Sequence, residues 1–179
     1  VKVSEIYTGL THVGPDMGSR NFSIIKKPEI LILGGGGVSS YDAGEVWHLL
    51  DQIYGIPSSL VTLDNIAGTD LSKYNVIIMP SGSYNALKTS GKAKIEQWAA
   101  QRNNTIVAYG NALRWLASNG IGSLKINTNK SVTNELTRPY NMLTRDRGSN
   151  VIGGAILNIN TDLSHPIFYG YHDSNIQIF

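Results

Sequence analysis

Two serines and three titratable side chains stand close together early in the chain. Ser39 and Ser40 follow four glycines at 34–37, and Asp42, Glu45 and His48 come next at intervals of three. On a helix that spacing sets two acids and a base on neighbouring turns. A serine hydroxyl beside an imidazole is the raw material of a nucleophile with its general base. The G-x-S-x-G of a nucleophile elbow does not occur, however, and serines in a glycine turn before a helix also serve as its cap. Two readings stand side by side: a small-molecule hydrolase using Ser39 or Ser40 with His48, and an ordinary helix start that defines no reaction.

Other chemistries find less to work with. The chain has 179 residues and no cysteine, which removes disulfides, thiol nucleophiles and zinc–thiolate sites. The glycines at 34–37 fit a dinucleotide fingerprint only in part: the third glycine would fall on Ser39 or Ser40, and Asp64 is late for a ribose-binding acid. A Walker lysine is missing, since Gly91-Lys92 runs into Ala93, and so is H-E-x-x-H. His12, His165 and His172 sit in separate loop phrases, so no metal site is expected. Formal charge is +2 without a basic run, which gives no nucleic-acid footprint. No apolar stretch approaches the roughly 20 residues of a membrane span.

The elements that must position these residues begin with residues 28–51. Ile30, Leu31, Ile32 and Leu33 form a continuous apolar run, the pattern of a strand covered on both faces. The glycines then make a tight turn, and Asp42 with Glu45 has the spacing of a capping box that opens a helix. Val46, Leu49, Leu50, Ile53 and Tyr54 recur at helical spacing and predict one apolar face. Further strands are expected over 59–63, 75–79 and 105–109. Helices are expected around 92–102, with Ile95, Trp98 and Ala99 inward, and from Gly110-Asn111 through Ala117, with Leu113 and Leu116 inward. Residues 64–74 read as a connection with one helical turn.

The flanks are less regular. Residues 3–7 read as a short strand and 8–22 as a loop. Residues 123–127 and 151–159 are strand candidates, 128–150 is a long polar stretch, either a flap over a crevice or plain surface, and 176–179 reads as a last strand. A first residue of Val instead of Met is expected of a processed chain or a piece of a longer one. Residues 1–27 are then an arm or junction to a preceding domain, and 28–179 a single domain large enough to bury roughly 70% of its unfolded surface.

Strands alternating with helices predict an α/β fold: a three-layer, mostly parallel, flavodoxin-like sheet. Ligands of such sheets bind beyond the carboxyl ends of the strands, where strand order reverses. Here the lips of that crevice are residues 34–40 and 80–84, with Tyr109, Gly110 and Asn111 on the next strand end.

The layout from 28 to 117 resembles the class I glutamine amidotransferase-like fold. In active members the fourth strand leads into a nucleophile elbow carrying cysteine, and a glycine-rich loop after the third strand helps form the oxyanion hole. Pro80-Ser81-Gly82 is similar to that loop, whereas the elbow falls on Ala108-Tyr109-Gly110-Asn111, with neither cysteine nor serine. His165-Pro166 is similar to the start of the family's His-Pro-Glu, with Ile167 in place of the acid. The resemblance implies the fold without the amidase chemistry.

Nearly the whole chain, through GVSSYDAGEVWHLLD, DLSKYNVIIMPSGSY, the glycines of 151–156 and DLSHPIFYGY, resembles the amidotransferase-like domain C-terminal to the catalytic domain in bacterial carboxypeptidase-A-type zinc carboxypeptidases. The early IYTGL and DMGS phrases are similar to the junction between the two domains. That family holds its zinc with an H-x-x-E pair and a later histidine in the peptidase domain, and none of these is present here. The resemblance implies an accessory scaffold or ligand-binding domain with no cofactor of its own. It also implies zinc in the neighbouring peptidase domain, that domain as partner, and a secreted or periplasmic location. A peptide or glycan held at the crevice would meet Gly35, Gly36, Ser39, Tyr41, Glu45, Ser83, Tyr84 and Asn111. In that reading the glycine N–H groups receive carbonyl or carboxylate oxygens, Glu45 accepts from an amine or hydroxyl, and the tyrosines form walls.

Overall fold

The computed structural model describes residues 4–22, 26–126, 139–142, 144–145, 154 and 156–178. By its own contacts the chain divides into two compact units, Val1–Asn127 and Thr128–Phe179.

The first unit is α/β. Strands β1 (Ile30–Gly34), β2 (Ser58–Thr62), β3 (Val76–Met79) and β4 (Thr105–Ala108) make one sheet in the order β2-β1-β3-β4, with every pair parallel. The apolar run of β1 is buried because both of its faces are covered. Leu31 and Leu33 enter a cluster with Ile77, Met79, Ile95 and Trp98, while Ile30 and Ile32 enter a second one with Ala43 and Ile78. The two-residue period of a strand sends alternate side chains into the two clusters. Each fully buried aliphatic is worth about 1.5–3 kcal/mol. At the amino ends of the strands Asn75 ties three of them together. Its amide donates to Lys27 O (2.9 Å) and accepts from Glu29 N–H (2.9 Å), and its carbonyl accepts from Thr105 N–H (2.9 Å).

Helix α1 (Ser40–Trp47) covers the second cluster through Ala43 and Val46. Its cap is Ser39, one of the two serines expected in that role, and not Asp42 of the capping-box spacing: Ser39 Oγ accepts from Asp42 N–H (3.3 Å) and donates to Asp42 Oδ1 (2.8 Å). The pair satisfies one orphan donor of the first turn and sets an acid at the positive end of the helix. The chain continues as a π-helix over His48–Ile53. Its wider turns overturn the single apolar face expected from straight helical spacing. Val46 and Leu50 pack inward with Ile56, whereas Leu49 and Ile53 are 45% and 61% exposed and Tyr54 also stands in solvent.

On the other face lie α2 (Thr89–Ala99) and α3 (Asn111–Ser118). Both begin and end within a few residues of expectation, α2 three residues early at each end. Ile95 and Trp98 are buried, and the Trp98 indole donates to Leu71 O (3.0 Å) and Tyr74 O (3.2 Å), fastening α2 to a short 3-10 turn, Leu71–Lys73. In α3, Ala112 and Leu116 turn inward at i, i+4; Leu113, expected inside, is 42% exposed.

The remaining differences are at the flanks. Residues 4–7 and 123–126 carry no strand, while Val3 and Asn127 lie outside the described residues. In the second unit, β5 (Leu157–Asn160) and β6 (Asn175–Ile178) pair antiparallel. The strand expected over 151–159 thus starts at Leu157, with 151–153 and 155 outside the described residues, as is most of the polar stretch 128–150. No helix among the described residues is long and apolar enough to cross a membrane.

Candidate functional site

Strand order reverses between β1 and β3, so the crevice of interest lies past their carboxyl ends. Gly35, Gly36 and Gly37 all have positive φ and carry the chain sharply from β1 towards α1. The room they leave is taken by the protein itself. A Cβ on Gly37 would stand 2.8 Å from Ser83 O, and one on Gly35 2.9 Å from the side chain of Thr62 at the end of β2.

The two lips are joined. Val38 and Gly82 form an antiparallel bridge in which Ser39 N–H donates to Ser81 O (2.9 Å) and Ser83 N–H to Gly37 O (2.9 Å). These bonds use the N–H groups of Ser39 and Ser83; those of Gly35 and Gly36, expected to receive a ligand, are not among them. The positive end of α1 faces the Asp42 carboxylate held by Ser39, so the place for a bound anion is filled by an acid of the chain.

Gly110 opens α3 at φ 59° and ψ −133°, the strained strand-to-helix turn on which a nucleophile elbow is built. A Cβ at Gly110 would overlap Ser81 Oγ and lie 2.6 Å from Ser81 Cβ. Ser81 therefore fills the volume that a side chain on the elbow would need, and its Oγ accepts from Asn111 N–H (3.2 Å). Sequence reasoning placed Ser81 on the lip, in the phrase similar to the oxyanion-hole loop, and not against the elbow. No local pattern announces that it meets a turn one helix and one strand further along the chain.

The tyrosines do not act as walls. Tyr84 is 2% exposed, its ring 5.6 Å from that of Trp115, and its hydroxyl donates to Pro80 O (2.6 Å). Burial, then Tyr109 and Asp42, pushes its phenol well above the usual range. Tyr41, at 84% exposure, stands in solvent. The inner aromatic is instead Tyr109, which sequence reasoning left unassigned. Its hydroxyl donates to Asp42 O (3.2 Å), and burial followed by the Asp42 and Glu45 charges raises its phenol. Glu45, Ser83 and Asn111 are exposed at the rim.

Chemically the arrangement is closed, and the imidazole expected as its base is out of reach. Ser39 and His48 stand at the two ends of α1, nine residues or about 13 Å of helix apart, beyond the hydrogen-bond reach a nucleophile and base require. Among the described residues no group of three or more His, Cys, Asp or Glu is placed to hold a metal ion. The chain matches no family model, no curated protein and no solved structure.

Proposed function

We propose that this chain is a non-catalytic accessory domain of flavodoxin-like, class I glutamine amidotransferase-like type, which supports the catalytic domain of a bacterial carboxypeptidase-A-type zinc carboxypeptidase. The family and its secreted or periplasmic setting rest on the sequence resemblance. The strand order β2-β1-β3-β4 is compatible with it. The observation that carries the non-catalytic part is the elbow: Gly110 has no side chain to offer, and Ser81 occupies the space one would fill. Between the two accessory roles, the bridged lips favour a scaffold over a ligand receptor at this crevice, because Ser39 N–H and Ser83 N–H are bonded across it and the Asp42 carboxylate stands at the positive end of α1.

Two measurements test the reading. Incubated with glutamine and with aryl ester and amide substrates, the chain is expected to show no turnover above a heat-denatured control. Turnover that disappears in Ser39→Ala or Ser40→Ala would restore the hydrolase reading. The full reading frame is expected to encode an H-x-x-E pair upstream; a frame without it removes the carboxypeptidase context.

A further inference from the structure

The hairpin of the second unit sorts its side chains by chemistry. Its register sets Asn158 opposite Gln177 and Asn160 opposite Asn175, alternating with Leu157 opposite Ile178 and Ile159 opposite Ile176. Since successive side chains point to opposite faces, one face of the ladder carries four carboxamides and the other four aliphatic groups. A carboxamide offers an acceptor oxygen and two donor hydrogens and no charge. An open trough of about 730 Å³ is lined by Asn158, Asn175 and Gln177 together with Tyr171, His172 and Asp173. That volume lies within the range of ligand sites, roughly 300–1,000 Å³. Its openness suits a chain molecule that runs through it better than a small one enclosed by it.

Tyr171 gives the trough an aromatic wall. It is 55% exposed, and its position is set by an edge contact with Phe168 (centroids 6.2 Å, 75° between planes), which itself meets His165 edge-on at 6.4 Å. A propped, half-exposed ring presents apolar surface at low entropic cost. Charge narrows the ligand class further. Residues 156–178 contain neither Lys nor Arg, and Asp173 and Asp162 accept from the N–H groups of Asn175 (2.8 Å) and Ser164 (2.9 Å). No Lys or Arg in that stretch offers a fixed positive charge to a phosphate or a carboxylate. Across the carboxamide face Asn160 donates to Asn175 at 3.4 Å, a long contact that a better partner would displace.

We propose that this face is a subsite for an uncharged polysaccharide chain. Tyr171 stacks on the C–H face of one pyranose ring while the carboxamides of Asn158, Asn175 and Gln177 exchange hydrogen bonds with sugar hydroxyls, each group donating and accepting as the hydroxyls do.

The test is an NMR titration of the full chain with cellohexaose, chitohexaose and mannohexaose, following the side-chain amide signals of Asn158, Asn175 and Gln177. At least one hexasaccharide is expected to shift these signals saturably. Tyr171→Ala should weaken binding about tenfold and Tyr171→Phe, which keeps the ring, by no more than about twofold. If Tyr171→Ala disturbs the backbone signals of β5 and β6, the pair Asn158→Ala and Gln177→Ala carries the same expectation of loss. Unmoved amide signals with all three sugars would overturn the proposal, as would undiminished binding in variants whose hairpin is intact. Tighter binding of hexagalacturonate, an anionic chain, would overturn the uncharged class.

Discussion

At the scale of single residues, the Gly110–Ser81 contact decides what the strand-to-helix turn can do. Gly110→Ala brings a left-handed backbone penalty and an overlap with the Ser81 side chain, together about 2–4 kcal/mol. Removing Ser81's side chain should relieve the second cost only. The double variant Ser81→Gly with Gly110→Ala is therefore expected to be more stable than the sum of the single losses by about 1 kcal/mol or more, measured by urea denaturation. Strict additivity would mean that the two residues do not compete for one volume. Tyr84 supplies a second prediction. Its folded phenol titrates above the usual value of about 10, so the stabilisation is complete below that pH and is lost as pH rises through the folded value. Unfolding free energy should fall above about pH 10. Tyr84→Phe should cost about 1–2 kcal/mol at pH 7, because Pro80 O loses its donor, and should flatten the alkaline decline. An alkaline slope unchanged in the variant would assign the titration elsewhere, with Tyr109 next in line.

At the scale of elements, the π-helix makes a claim that a straight helix would not. With α-helical spacing, Leu49, Leu50 and Ile53 share one buried face; in the structure Leu50 packs on the cluster with Ala43 and Ile56, and Ile53 looks outward. Leu50→Ala is expected to cost about 1.5–3 kcal/mol and Ile53→Ala about 0.5 kcal/mol or less. Equal costs would restore the straight helix. This element also marks where the sequence was legible. The four strands of the sheet could be read because a run such as Ile30 to Leu33 has few alternatives to burial on both faces, and the lips of the crevice followed from strand ends. The π-helix could not, since one extra residue per turn leaves the apolar content unchanged. Nor could the choice of Ser39 over Asp42 as cap, as Ser39 with Asp42 and Asp42 with Glu45 have the same spacing. The closing of the crevice was invisible for a stronger reason: the Val38–Gly82 bridge is made of backbone groups, which every residue but proline carries.

At the scale of the whole molecule, the chain divides by its own contacts into Val1–Asn127 and Thr128–Phe179, and the burial pattern gives the division thermodynamic content. Both buried clusters draw their members from residues between Ile30 and Ile121, whereas Thr161 is the buried residue among those described in the second unit. Burial of apolar surface is the dominant favourable contribution to folding, so cooperative stability is expected to reside in the first unit. A two-stranded hairpin alone is marginal in water. A chain of residues 1–127 should accordingly unfold in one cooperative transition with a midpoint within about 5 °C of the full chain, followed by circular dichroism on heating. A midpoint lower by more than about 10 °C, or loss of cooperativity, would show that residues 128–179 supply several kcal/mol to the sheet.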